Sequence, residues 1–362
     1  MEGGEGVVDS NKISFWRKLF FSFIGFFGTL ILLLLLGEVV MRVCYKASSP
    51  PYNNHQIDSL LGWKTVENYT HFEKKMIDKR GDRYDLSLTF TKHGFRKWND
   101  FVADTPCKTF FFLGDSYTES METSDENLFY NHLRDSLLLN VYAYGTAGYG
   151  TIQELLILQM FIDSIRPNVI ILEMCNNDFV DNYWEVEKRN CYTAGQIRPY
   201  LNCDNQIEYH YPLPWYKAVK EYSLFGGFLV QHLITSFVNL KLINGYELTV
   251  EDMVADNGYL KQLISESFNR TECAMNQIKK VADRYNAHLI VFDADHYPSG
   301  ANWLPVVCKR NCIDYIAGVG EWLFENELRG ESVRSLDGYH WNQNGHRIVS
   351  DTLLHYIRNN KL

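Results

Sequence analysis

Apolar and polar positions alternate in different ways along this chain. Leu19–Gly37, LFFSFIGFFGTLILLLLLG, runs without a single charge. At 1.5 Å per residue it nearly covers the ~30 Å hydrocarbon layer of a bilayer. Arg17 and Lys18 precede it, and Arg42 and Lys46 follow. A cleaved signal peptide would carry a shorter apolar stretch and a small-x-small cleavage site, and a core helix rarely shows an unbroken apolar run this long. The expectation is an uncleaved single-pass anchor over 19–43, with a cleaved signal and a core helix as the alternatives. Lys12, Arg17 and Lys18 on the near side place residues 1–18 in the cytoplasm and the bulk of the chain outside it.

Beyond the anchor, residues 44–107 form a spacer and a strand-rich lead-in. Ala47–Tyr52, ASSPPY, is stiff and polar, and Leu86–Thr91, LSLTFT, alternates as a short strand does. From Lys108 the pattern changes. KTFFFLG (Lys108–Gly114) is a short apolar run ending in glycine, the mark of a strand buried on both faces. Asn127–Leu139 has a helical period, and NVYAYG (Asn140–Gly145) is a second strand. A helix over Ile152–Ile165, a third strand over Pro167–Cys175, a helix over Thr271–Tyr285, a fourth strand over Ala287–Asp295 and a closing helix over Gly345–Ile357 follow. Strands alternating with helices of this length pair in parallel through right-handed crossovers. The fold class is therefore α/β, a three-layer α/β/α sandwich over 108–362. An insertion over about 180–269 interrupts it. That insertion holds a hairpin candidate around Asn202–Asn205 and an apolar helical stretch near Tyr222–Leu240, expected to act as a lid or to pack on the side of the main core, with a second membrane contact as an alternative that the sequence does not support.

Composition narrows the function classes. The 362 residues are 46% apolar and 15% aromatic, enough for a large core. The balance of 35 basic and 44 acidic residues gives a net charge of −9. With no basic stripe interleaved with aromatics, nucleic acid is not an expected partner. Of the 8 cysteines, Cys191–Cys203 and Cys308–Cys312 are the nearest candidate pairs in an oxidising compartment. Asn68 and Asn269 begin N-x-T triplets, which matter only in a eukaryotic secretory route.

The candidate chemistry gathers where the strands end, the place at which open α/β sheets bind ligands. The first strand-end loop carries Gly114-Asp115-Ser116, the second GTAGYGT (Gly145–Thr151), and the third CNNDF (Cys175–Phe179); LDGYHWNQNGH (Leu336–His346) lies near the C-terminus. A serine hydroxyl needs a base within reach to act as nucleophile at neutral pH. His340 is the candidate for Ser116, and Asp337, three residues earlier, can orient its ring. A tetrahedral oxyanion would need preorganised donors: the Ser116 backbone N–H, a backbone N–H at Gly148, and the Asn177 amide. Each piece has a plainer reading. Gly-Asp-Ser is an ordinary tight turn, Asp337 to His340 is a common cap spacing, and Asn177-Asp178 and the glycines can serve chain geometry alone. Their joint occurrence at successive strand ends favours catalysis.

Taken together, these blocks resemble the SGNH (GDSL-type) hydrolase superfamily. FLGDSYT resembles its first block, AGYGT its second, NND its third and DGYHWN its fifth. The resemblance implies Ser116 as nucleophile, Gly148 and Asn177 as oxyanion donors with the Ser116 amide, and Asp337 and His340 as acid and base. It also implies a flavodoxin-like parallel sheet, and HGFRKWND (His93–Asp100) is similar to the lead-in of bacterial membrane-anchored members. Three departures concern pocket shape: Cys175 stands where glycine is usual, Ala143 where asparagine is usual, and the segment after Ser116 lacks its usual glycines.

Two further patterns carry little. The His346-x4-Asp351 spacing does not put both groups on one helix face, so His346 is expected to pack or to cap the helix start. Cys308 and Cys312 lack two further ligands for zinc. A G-x-S-x-G elbow is absent from the sequence. The expectation is a membrane-anchored serine esterase that forms an acyl-enzyme on Ser116, needs no cofactor or metal, and acts on an ester of a cell-surface glycan or lipid. One alternative passes the acyl group to a polysaccharide hydroxyl, as an O-acyltransferase. Another, of a different class, is a catalytically silent glycan-binding or assembly module.

Overall fold

The computed structural model describes residues 15–47, 54–77, 83–96, 107–187, 197–202, 204, 206–210, 219, 222–239, 258–295 and 303–362. α1 (Phe15–Ala47) is one helix, and its segment Phe15–Val43 is long and apolar enough to cross a membrane, with none of it buried by the rest of the chain. The lead-in follows as two antiparallel pairs, β1 (His55–Asp58) with β2 (Gly62–Thr65) and β3 (Thr70–Ile77) with β4 (Arg83–Thr89).

Then comes the alternating series. β5 (Thr109–Gly114), α2 (Ser116–Glu119), α3 (Phe129–Leu137), β6 (Asn140–Gly145), α4 (Thr151–Ile165), β7 (Val169–Met174), α5 (Asn176–Asp181) and α6 (Trp184–Glu187) form its first half. The hairpin β8 (Arg198–Leu201) and β9 (Ile207–His210) is followed by α7 (Leu224–Asn239) and α8 (Tyr259–Arg284). β10 (His288–Asp293), α9 (Trp303–Arg310), β11 (Asp314–Ile316), α10 (Val319–Leu328) and α11 (Gln343–Asn359) complete the chain.

The central sheet has five parallel strands in the order β11–β10–β7–β5–β6. Counted from the first strand of the sandwich, this is the 2-1-3-4-5 order of flavodoxin-like sheets, whose switch point lies between strands one and three. Here that point falls between β5 and β7. Alternate residues explain why each strand is apolar throughout. Phe110, Phe112, Val141, Ile171 and Phe292 enter the layer built by α3, α10 and α11, whereas Phe111, Leu113, Tyr142, Leu172 and Val291 enter the layer of α4, α8 and α9.

The lead-in is tied to the sandwich through Arg96. Its guanidinium is fully buried, pairs with Asp125 at 3.1 Å, donates to the Thr123 carbonyl at 2.7 Å and lies over the Phe90 ring. A buried guanidinium persists only when such partners surround it.

The structure differs from expectation at several elements. β11 has no counterpart in the sequence reading, and α8 begins well before the expected Thr271. Among the described residues α7 packs chiefly on α1 rather than on the side of the main core. Cys308 and Cys312 are both free thiols: Cys308 points from α9 into the core, whereas Cys312 is exposed. The Cys191–Cys203 pair lies outside the described residues. His346 packs in the core: its ring stacks on Phe129, and its Nδ1 accepts the Phe129 N–H at 3.4 Å.

Candidate active site

Local chemistry shapes the turn that carries Ser116. β5 ends at Gly114, and Asp115 caps α2 by accepting the Tyr117 N–H at 3.0 Å. Ser116 is the first residue of α2 and is half-buried among buried neighbours. The turn sits so close to its surroundings that a Cβ on Gly145 would collide with Glu119 N and the Asp115 carbonyl. Glu119, fully buried, holds three segments at once. Its carboxylate accepts from Asn54 Nδ2 at 2.6 Å and from the Ala147 N–H at 2.7 Å, and it meets His55 Nε2 at 2.6 Å. The lead-in and the β6–α4 loop are thereby latched to the short helix that begins with Ser116.

Asp337 and His340 come from the loop between α10 and α11. Asp337 Oδ1 accepts from Ser335 Oγ at 2.7 Å, from the Tyr339 N–H at 2.9 Å and from the His340 N–H at 3.1 Å. Its Oδ2 is hydrogen-bonded to His340 Nδ1. A carboxylate there keeps the proton on Nδ1 and leaves Nε2 as the acceptor. Burial works against the Asp337 charge, but the Ser335 hydroxyl, the Tyr339 amide and His340 outweigh it and lower the pKa to about 2. The Tyr117 ring stands 5.3 Å from the His340 ring, centroid to centroid, and the Tyr117 hydroxyl donates to Asp295 at 2.9 Å. The neighbour of Ser116 therefore touches His340, although more than two hundred residues separate them.

A second carboxylate faces the same imidazole. Glu122 Oε1 lies 3.7 Å from His340 Nδ1. Burial opposes protonation of His340, yet Glu122 and then Asp337 more than offset it, so the His340 pKa is raised. The Glu122 carboxyl is itself pushed up, by burial first and by Asp337 as well, with His340 pulling the other way. A base must be neutral to accept a proton, so a raised pKa moves the acid limb of the rate profile to higher pH. Glu122→Gln removes the leading upward influence. The acid limb of kcat/KM is then expected to move to lower pH, with the plateau at high pH retained; a pH profile on a soluble ester reads this directly, and an unmoved limb would discard the role.

The expected oxyanion donors occupy neighbouring loops. Gly148 adopts φ +73°, a conformation that side-chain-bearing residues rarely take. Asn177, in α5, donates its amide to Asp181 at 3.1 Å and reaches the Tyr149 carbonyl at 3.5 Å, so it touches the loop of Gly148. Cys175, at the usual glycine position, lies directly against that loop. Its thiol donates to Asp115 Oδ2 at 3.0 Å and contacts Asn177 Oδ1, joining the Ser116 turn to the Asn177 loop. Below them Glu154, Glu173 and Asp178 are fully buried; burial first, then the neighbouring carboxylates (Asp178 for Glu154, Asp115 for Glu173 and Asp178), pushes all three well above the ordinary carboxylate range.

Sequence reasoning missed Glu119, Glu122, Ser335 and the Cys175 thiol. The dense acids of YTESMETSDE were the available signal for the first two. Ser335 had a weaker one, its place two residues before Asp337.

A serine at the switch point of a parallel sheet, whose chain neighbour Tyr117 packs against an imidazole already bound to a carboxylate, fits an ester-hydrolysing enzyme. The GDSL-like lipase/acylhydrolase family model matches residues 110–353, and the chain belongs to that family. Among solved structures the chain is similar to the psychrotrophic esterase EstA from Pseudoalteromonas sp., at 10% identity and a TM-score of 0.40 over 70% of this chain and 97% of that one. It is also similar to a two-domain esterase (CEX) active on acetylated mannans, at 12% identity and 0.40 over 70% and 49%. A Clostridium thermocellum family 3 carbohydrate esterase follows at 13% identity and 0.37 over 70% and 96%. No curated protein matches the chain. Likenesses this distant carry no argument about substrate.

Proposed function

We propose that the chain is a membrane-anchored serine esterase in which Ser116 is the nucleophile, His340 the general base and Asp337 its orienting acid. As Ser116 Oγ bonds to the acyl carbon, its proton passes to His340 Nε2, and the C=O electrons move onto oxygen. The Ser116 and Gly148 amides and the Asn177 side chain receive that oxyanion. Collapse of the intermediate expels the alcohol, which takes the proton from His340 and leaves an acyl-enzyme. Water, deprotonated by the same imidazole, then releases the acid. Asn177 would exchange its hydrogen bond to Asp181 for one to the oxyanion. The observation that carries this reading is the Asp337–His340 pair lying against Tyr117, next to Ser116. α1 serves as the anchor, with the sandwich outside the cytoplasm and a cell-surface glycan or lipid ester as substrate.

One feature supports a second reading, transfer of the acyl group to a sugar hydroxyl. A cleft of about 280 Å³ opens beside the His340 loop, lined by Tyr117, Asn176, Asp295, Glu327, Arg334 and Tyr339. Arg334 there donates to the Tyr339 carbonyl at 2.7 Å and faces Asp295 at 3.4 Å. Charged and amide groups beside an exposed tyrosine suit a hydroxyl-rich leaving group or acceptor. Acyl release measured with and without an added glycan separates the two: faster turnover with acylated sugar favours transfer. A fluorophosphonate probe is expected to label the wild-type protein and to miss Ser116→Ala. No labelling of the folded wild type would favour a silent binding module.

A further inference from the structure

α7 is an apolar helix of 16 residues, LFGGFLVQHLITSFVN, that docks on α1 instead of the sandwich. The docking is specific. Glu38, the one acidic residue of α1, accepts from Ser223 Oγ at 2.8 Å, from the Leu224 N–H at 3.2 Å and from the Phe225 N–H at 2.9 Å, and it pairs with Arg42 at 2.7 Å. Arg42 in turn reaches the Tyr222 carbonyl at 3.3 Å. The Phe225 ring sits so close to Gly37 that a Cβ there would collide with it. As α7 advances from 222 to 225, its partners step back along α1 from Arg42 to Gly37. The helix thus starts at the outer end of the apolar span and heads toward it.

Chemistry explains the arrangement. The first N–H groups of a helix have no internal partner, and leaving them bare against hydrocarbon is costly. A carboxylate in an apolar helix is costly too unless it is paired. Each satisfies the other here. α7 is about 24 Å long, short of a full crossing. The hairpin before it and α8 after it both belong to the sandwich side, so it does not cross. Phe228 and Leu233 remain 42% and 54% exposed. In the sequence, 224–239 carries no Asp, Glu, Lys or Arg; its first turns are apolar or glycine throughout, and polar residues return only in its second half, at 231, 232, 235, 236 and 239.

We infer that α7 is a second membrane element, an interfacial helix that docks on the outer end of α1 and immerses its apolar side in the phospholipid bilayer. The inference rests on the reading of α1 as the anchor. With it, the catalytic sandwich is held at two points, so its height and tilt above the bilayer are fixed instead of swinging on a single tether.

The test uses the full chain in phosphatidylcholine vesicles doped with a lipid bearing a photoactivatable diazirine on its acyl chain, followed by proteolysis and mass spectrometry. Acyl adducts are expected on α1 peptides and on peptides from 224–239. The double variant Phe228→Glu, Leu233→Glu is expected to lose the second set and to keep the first. Adducts on α1 alone would overturn the inference while the anchor stands; adducts on neither would overturn both. Glu38→Ala should speed hydrogen exchange at the Leu224 and Phe225 amides by about tenfold, the worth of a lost helix cap. Unchanged exchange there would show that Glu38 is not what docks the helix.

Discussion

Ser116→Ala is expected to lower kcat/KM for a soluble acyl ester by about 10⁶, the scale seen when a nucleophile that acts with its base as a unit is removed. In the proposed mechanism the whole covalent route passes through one oxygen atom, so no neighbouring group can take its place. The fold should survive. α2 is capped by the Asp115 side chain and latched by Glu119, and neither contact involves the Ser116 hydroxyl. Steady-state kinetics on p-nitrophenyl esters, beside circular dichroism of the same preparation, measure the effect. A variant retaining activity within about tenfold of wild type would transfer the nucleophile role elsewhere.

Asp337→Asn should cost about 10⁴ in kcat with a small change in KM. The side chain keeps its shape, and its carbonyl oxygen can still accept from Ser335 and the two backbone amides. Its NH₂ group would then face His340 Nδ1, which must give up its proton to accept that bond. The proton moves to Nε2, where the base is needed free. Loss of the Asp337 charge also removes one of the influences that raise the His340 pKa. The residual activity should therefore extend to lower pH than that of the wild type. A loss of only a few-fold, with an unshifted acid limb, would mean that Glu122 and not Asp337 orients the ring.

The sandwich was readable because TFFFLG, VIILEM and HLIVFD are apolar on both faces, and only a sheet covered by helices on each side satisfies that pattern. β11 escaped because three residues, partly exposed, have no period to detect. The five proposed catalytic positions stand out in the sequence because each follows a strand or a turn signal in a fixed order. Their supports do not, because those depend on distant closure. Nothing in the order of residues tells that the Cys175 thiol meets Asp115, or that Glu122 folds back toward a histidine near the C-terminus. α7 shows a different limit. Its apolar character was plain, but composition does not say what covers it. The overlooked clue was Glu38, an acid set in an otherwise apolar run, which calls for a partner.

The Glu119 latch has a practical consequence for any soluble, shed or recombinant form. Trimming the chain in the ASSPPY stretch would part the sandwich from α1 with Asn54 and His55 still gripping the short helix that begins with Ser116. Cutting a few residues later, past His55, would strip two of the three partners from a buried carboxylate and loosen the turn that presents Ser116. Fragments from the two cut sites, compared for fluorophosphonate uptake, are expected to differ sharply in reactivity though they differ little in length.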